Sequence, residues 1–335
     1  MSGELDPAGQ AAVAADADDL VLAFRTLGAR AQGRVVRLGP AVDEILSRHA
    51  FPETVSRALG EALALSAMLG SLLHADGRLI LQTKTDGPLH MLVVDYRSPD
   101  AMQFGRLRAT ATFDPTRLAD GPVDQGQLLG TGHLAMTIDP GGNEPRTQGI
   151  VGLARNSLDE AALTYFSQSE QIPTFVRLAV ARHQLPRGAG EARGAEPVWR
   201  WRAGGLILQM LPEDAGPGHV RGDEIDDEHL LGDREDDWQR IRMLASTVED
   251  HELLDPTLTP ERLLYRLFHE DGVRVSPPVP MRAHCGCSRQ RVELLLQGFG
   301  RDELTDMRES DGGITVTCEY CSTKYSFSPT DVARI

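Results

Sequence analysis

A chain of 335 residues, 41% hydrophobic and 25% charged, with a formal net charge of -15, has the composition of an ordinary globular protein. It is long enough for one sizeable core plus a smaller module. The negative field argues against nucleic acid as the main partner, and the lack of any apolar run of about 18 residues argues against a membrane span.

Residues 1–18 are rich in Ala and Asp. They lack the basic start and apolar core of a secretory signal, so they read as a disordered tail and the expected location is cytoplasmic. Leu20–Phe24 and Gly33–Leu38 read as strands. A broadly apolar helix is expected from about Pro52 to His74, carried by Leu59, Leu63, Met68, Leu69 and Leu72. Arg78–Thr83 and Leu89–Tyr96 read as two strands joined by the turn Thr85-Asp86-Gly87-Pro88. Further strands are expected at 102–108, 131–138 and 147–152. Ser157, with Glu160 three residues on, forms a capping-box signal for a helix carrying Leu158, Ala161, Ala162 and Phe166. Thr174–Val180 and Gly205–Leu211 read as strands. Helices and strands mix without a regular β-α-β period, which makes the fold class α+β, a mixed sheet-and-helix core.

Two stretches read as loops or insertions: 186–197, rich in Gly, Ala and charge, and 213–237. The second holds nine carboxylates between 222 and 237. They lack the regular ligand spacing of a calcium loop and read as a solvated acidic segment. Beyond it, Trp238, Ile241, Leu244, Ala245 and Val248 share a helical face. Thr259-Pro260 caps another helix, with Leu263, Leu264, Leu267 and Phe268 on one side. Both are short enough to need docking.

All four cysteines lie between 285 and 321, as Cys285-Gly286-Cys287 and Cys318-Glu319-Tyr320-Cys321. Two close pairs far apart in sequence can supply four thiolates to one tetrahedral ion, and zinc suits that donor set. Four protein ligands leave no open position for water, so the expected role is structural and coupled to folding. Arg282, Arg289, Arg291 and Lys324 lie near enough in sequence to stabilise thiolates. His284 reads as an ordinary histidine, because four sulfurs already complete the shell. No G-x-S-x-G, Walker A, G-x-G-x-x-G after a strand, or H-E-x-x-H is present. Three functions fit the cysteines: a redox-regulated binding protein, a constitutive zinc-ribbon adaptor, and a dithiol-disulfide oxidoreductase. The last wants C-x-x-C opening a helix near the start of a thioredoxin-like unit, whereas this one follows Ile314–Thr317 near residue 320.

Several motifs occur in order along the chain. They include Thr147-Gln148-Gly149-Ile150-Val151, Tyr165 to Thr174, Gly204-Gly205-Leu206-Ile207-Leu208-Gln209, Leu267-Phe268-His269-Glu270, and the two cysteine motifs. From about residue 20 the sequence resembles the redox-regulated 33-kDa heat-shock chaperone family, the 33-kDa chaperonins. The resemblance implies a holdase that needs no ATP, is not an enzyme, and is inactive when reduced and zinc-bound. Oxidation would release zinc and join neighbours, Cys285 with Cys287 and Cys318 with Cys321. A linker would then unfold, and the protein would dimerise and bind unfolding clients. The expected division is a tail at 1–18, a core chaperone domain at 19–230, a helical linker at 231–282 and a zinc-binding redox-switch domain at 283–335.

Overall fold

The structure, a computed structural model, describes residues 18–99, 103–118, 124–142, 144–184, 198–211, 234–332 and 334. The expected tail up to residue 17, the 186–197 stretch and the acidic stretch up to residue 233 lie outside the described residues.

The chain opens with strands β1 (Leu20–Thr26) and β2 (Ala31–Leu38), then helices α1 (Pro40–Ser47) and α2 (Glu53–Gly70). Strands β3 (Arg78–Thr85), β4 (Leu89–Arg97) and β5 (Gly105–Phe113) follow, then the short α3 (Gln125–Leu129), β6 (Thr131–Asp139) and β7 (Thr147–Ala154). Helix α4 (Leu158–Tyr165) begins at the expected capping box, with Ser157 and Glu160 each bonded to the other's backbone amide. Strands β8 (Thr174–Gln184) and β9 (Trp199–Met210) complete the core meander. Helices α5 (Arg234–Ser246), α6 (Asp250–Leu254) and α7 (Pro260–Phe268) come next, and then strands β10 (Val273–Val275) and β11 (Val279–Ala283).

Eleven strands form one sheet in the order β7-β6-β3-β4-β5-β11-β1-β2-β9-β8, with β10 pairing beside it on β1. The mixed α+β core of the sequence reading is therefore present. Among the described strands, its two antiparallel groups are joined by β11, which runs parallel to β5 and antiparallel to β1.

One face of the sheet packs on α2, whose Leu59, Leu63, Met68 and neighbours join Val36, Leu81, Val94 and Ile207 in the main core. The opposite face of β1, β2 and β9 packs on the later helices, where Leu22, Phe24, Val35, Leu206 and Leu208 meet Trp238, Ile241, Leu263 and Phe268. Strand β9 is covered on both sides, so Trp201 through Met210 are all buried and both alternating sets of side chains find a core. The β7 strand alternates buried and exposed positions, as expected for a sheet with one wet face.

Helices α5 to α7 are held by more than their apolar faces. Arg37, fully buried on β2, donates to the carbonyls of Asp255 at 2.7 Å and Glu252 at 2.9 Å. Arg202 on β9 donates to the Leu254 carbonyl at 2.6 Å. These guanidinium groups satisfy the orphan carbonyls at the end of α6, where the helix dipole favours positive charge. Burial lowers the pKa of Arg37 to about 10, which still leaves it charged at neutral pH. Gly204 permits the approach: a Cβ there would lie 2.4 Å from the Leu253 carbonyl oxygen.

Some expectations need correcting. The long helix ends at Gly70, not His74, and Leu72 lies outside it with 46% of its surface exposed. Residues 234–237 of the acidic stretch open α5, placing Glu235, Asp236 and Asp237 in its first turn, where carboxylates complement the helix dipole. The 231–282 stretch is not wholly helical, because β10 and β11 belong to the core sheet.

Candidate metal centre

Strand β11 delivers the first cysteine motif. The sheet ladder extends one residue past it, with the His284 amide donating to the Leu107 carbonyl at 2.9 Å. Cys285 and Cys287 then occupy a loop that ends where Ser288 caps α8 (Arg289–Leu296), its hydroxyl accepting from the Arg291 amide. After α9 (Arg301–Asp306), the second motif sits in the turn between β12 (Ile314–Thr317) and β13 (Lys324–Phe327). That turn is closed by the Cys318 amide donating to the Thr323 carbonyl at 2.9 Å and the Ser322 amide donating to the Cys318 carbonyl at 2.8 Å. Ser322 takes the left-handed conformation, φ 56°, that a tight knuckle requires. Helix α10 (Pro329–Val332) closes the segment.

All four sulfurs lie within 4.8 Å of one another, and all four are free thiols. The short separations run between the two motifs: Cys285 to Cys318 is 3.7 Å and Cys287 to Cys321 is 3.3 Å. Zinc–sulfur bonds of about 2.3 Å in a tetrahedron place sulfurs about 3.8 Å apart, so the donor set and its spacing fit a single zinc-sized ion. Cys321 is buried and the other three are half-buried.

Hydrogen bonds sort the thiols. Burial pushes Cys318 up to about 12. Burial also opposes ionisation of Cys321, but the Thr323 hydroxyl and amide, with neighbouring thiols, outweigh it and bring Cys321 down to about 6. Cys287 is raised by burial, although the Tyr325 hydroxyl donates to it at 3.1 Å. Four adjacent thiolates repel one another, so full deprotonation needs a cation at the centre.

The basic residues expected beside the cysteines act otherwise. Arg289 pairs with Asp331, donates to the Ser326 carbonyl and lies over Phe327 at 4.3 Å. Arg291 donates to the Gly286 carbonyl, bracing the C-x-C loop. Arg282 stacks on Phe104 at 3.6 Å, and Lys324 is an exposed residue at the start of β13. A cation that the fold does bring to the second motif is Arg108 of β5, which covers the Tyr320 ring at 4.2 Å. His49, beyond the end of α1, holds the same knuckle, with Nε2 3.2 Å from the Tyr320 carbonyl and Nδ1 3.1 Å from the Ser322 hydroxyl. Sequence reasoning missed Arg108 and His49, which lie more than 170 residues from the knuckle they hold. Tyr320, an aromatic residue inside a polar C-x-x-C loop, was the available signal for docking.

A small apolar cluster of Val292, Leu296, Leu304, Ile314, Phe327 and Val332 backs the two motifs. Among the described residues, no helix is long and apolar enough to cross a membrane.

The cysteine knuckle lodged against a mixed sheet defines a protein with a thiol-rich centre. The family described as Hsp33 protein matches residues 19–328. The 33 kDa chaperonin of Caulobacter vibrioides is 41% identical over 317 residues, covering 93% of this chain and 95% of that protein. The 33 kDa chaperonin of Nitrosococcus oceani is 36% identical over 310 residues, covering 92% of this chain and 90% of that one. The crystal structure of a 33 kDa chaperonin from Thermotoga maritima has the same fold, with a TM-score of 0.68 at 21% identity over 94% of this chain and 97% of that chain. The chain belongs to the Hsp33 family. Its function is that of the family, a redox-regulated, ATP-independent holdase chaperone rather than an enzyme.

Proposed function

We propose that Cys285, Cys287, Cys318 and Cys321 hold one zinc ion in the reduced, inactive protein and form the switch that activates the holdase. The observation that carries this reading is the convergence of four sulfurs within 4.8 Å in a segment backed by six buried apolar residues among those described. So small a cluster contributes little folding energy by itself. When bound, zinc supplies a four-fold cross-link and keeps the thiolates ionised without open coordination for catalysis.

On oxidation, the two thiolates of each motif would give up two electrons to one equivalent of a two-electron oxidant such as peroxide, which is reduced to water as a sulfur–sulfur bond forms within the motif. The pairs are Cys285 with Cys287 and Cys318 with Cys321. The thiolates then no longer bind the ion, and segment 283–335, acting as a separate redox-switch domain, loses its main stabiliser. Tyr320 leaves Arg108 and His49. The disturbance reaches β11, and through β10 the helices of 234–268, whose apolar faces become available to unfolding clients or to a second copy in a homodimer. Residues 19–230 act as the core chaperone domain and 231–282 as the linker, in the cytoplasm.

The test treats reduced, zinc-loaded protein with peroxide at raised temperature and follows zinc release together with aggregation of a denatured client. Zinc release in step with suppressed aggregation is expected. Equal suppression before and after oxidation sinks the switch.

A further inference from the structure

The turn that carries Cys318 and Cys321 contains a backbone conformation its residues do not favour, and a core side chain holds it there. Ser322 sits at φ 56°. In that left-handed region Cβ crowds the following carbonyl oxygen, so a residue with a side chain is disfavoured about tenfold. No glycine occurs in the turn, which runs Cys318-Glu319-Tyr320-Cys321-Ser322-Thr323.

The Ser322 hydroxyl and the Tyr320 carbonyl both meet one ring, that of His49, at 3.1 Å from Nδ1 and 3.2 Å from Nε2. A carbonyl only accepts, so Nε2 carries a proton. In the neutral ring Nδ1 is then the acceptor and the Ser322 hydroxyl the donor. Burial and the nearby charge of Arg48 hold His49 below its ordinary pKa, against the Tyr320 carbonyl, so the ring is neutral at pH 7.

The ring is aimed by the core. It stacks on Phe51 with centroids 4.5 Å apart and an interplanar angle of 4°. Phe51 in turn meets Phe113 of β5 edge-on at 5.9 Å, and both phenylalanines pack on the main core.

In the held turn the sulfurs face across the motifs, Cys318 toward Cys285 at 3.7 Å and Cys321 toward Cys287 at 3.3 Å. Joining Cys318 to Cys321 turns both sulfurs toward each other and brings them to about 2.05 Å. The chain that follows them is 319–322, and His49 holds two of its four residues.

We infer that His49 is a positioning residue for the redox reaction: it holds Ser322 in the left-handed conformation, keeps the knuckle in its ion-holding shape and slows formation of the Cys318–Cys321 bond. The inference rests on the switch reading above, which supplies that pairing. In the reaction one hydrogen peroxide takes two electrons from the sulfurs and two protons from the thiols or from solvent, leaving as two waters while the sulfur–sulfur bond forms. His49 touches none of the reacting atoms and acts through the turn.

The experiment exposes full-length protein, reduced in the presence of zinc, to hydrogen peroxide. Formation of the Cys318–Cys321 bond is followed by quenched alkylation and peptide mapping, which read the bond whether or not zinc is retained. His49→Phe keeps the stack on Phe51 and loses both nitrogen contacts. It should form the bond about tenfold faster than the parent, with unchanged thermal unfolding. Cobalt(II) in place of zinc should give the two reduced proteins the same absorption spectrum, because the four sulfurs still meet. His49→Gln, whose amide can still donate to the Tyr320 carbonyl, should be about threefold faster, and it carries the comparison if H49F loses its fold. Ser322→Gly takes the left-handed conformation without support. On that background H49F should accelerate the bond by about threefold or less.

A bond that forms in H49F and H49Q no faster than in the parent overturns the clamp. Equal acceleration by H49F with and without S322G also overturns it, since His49 would then act by general packing. A cobalt spectrum altered in H49F overturns it too, by showing that the ring shapes the ligand set itself. If H49F speeds the bond while the oxidised parent fails to suppress client aggregation, the clamp stands and the switch reading falls.

Discussion

Two segments follow the core meander, and they are held by different physics. Residues 234–268 lay Trp238, Ile241, Leu263, Leu264 and Phe268 on a continuous apolar face of β1, β2 and β9, and two buried arginines clamp their carbonyl ends. Residues 284–332 have six buried apolar residues among those described, and their contacts with the rest of the molecule include the His284 amide on the Leu107 carbonyl, Tyr320 under Arg108, and His49 between the Tyr320 carbonyl and the Ser322 hydroxyl. The first is docked by area removed from water, which a change in redox state reaches only indirectly, through β11 and β10. The second is docked by polar contacts and by whatever the four sulfurs hold, both of which chemistry can remove. A sensor built at the second region can respond without dismantling the core.

The contrast is tested most severely by removing metal. A strong chelator acting on the reduced protein should abolish amide protection over 314–327 while protection across β2 and β9 persists. The stabilisation at stake is about 10 kcal/mol, read by native-state hydrogen exchange. Simultaneous loss in both regions would show that they form one cooperative unit.

The apolar region is broken by Phe268→Ala. Phe268 is fully buried and stacks on Phe24 at 5.5 Å. The substitution should cost about 3–4 kcal/mol in a denaturant titration and leave reduced zinc binding unchanged.

Acidity acts on the core as well as on the cysteine segment, whose thiolates must stay deprotonated to hold an ion. Glu61 on α2 is bonded to Gln125, and burial raises its pKa from 4.5 to about 7. The folded state thus favours the protonated form. Its stability is fully present below about pH 4.5 and falls as pH rises to about 7, where both states are ionised. Glu61→Gln should remove about 3 kcal/mol of that pH dependence, seen as Tm values for the two proteins that converge at low pH and separate at high pH.

The smallest effect is expected from Tyr320→Ala. Losing the stack on Arg108 should weaken docking by about 1 kcal/mol, detected as faster thiol modification of the reduced protein with global stability unchanged.

Much of the core was legible because its signals are local. The alternation in β3 and β4, the Ser157–Glu160 capping box and the apolar face of Trp238, Ile241 and Ala245 each sit within a few residues of chain. Helix α1 was missed, since Gly39-Pro40 reads as a turn and eight residues give little more than two periods. Strand β11 was missed because Val279-Pro280-Met281-Arg282-Ala283 contains a proline, which demotes a strand assignment. Its Pro280 lies opposite Leu20, near the end of β1 where pairing is short. The four cysteines were legible from spacing. Their surroundings were not: Arg108 and His49 are ordinary residues until the fold carries them to Tyr320.

That proline-bearing strand places the thiol centre in mechanical series with the sheet. Three residue pairs join β11 to β5 and two join it to β1. Only His284 separates its last residue from Cys285. There is almost no slack between the sulfur and the join, so a displacement at Cys285 is transmitted as tension on five residue pairs rather than absorbed by a flexible lead. The strand can work as a clutch: engaged, it makes eleven strands turn as one sheet, and disengaged, it leaves the two groups of strands coupled through the core they share on α2.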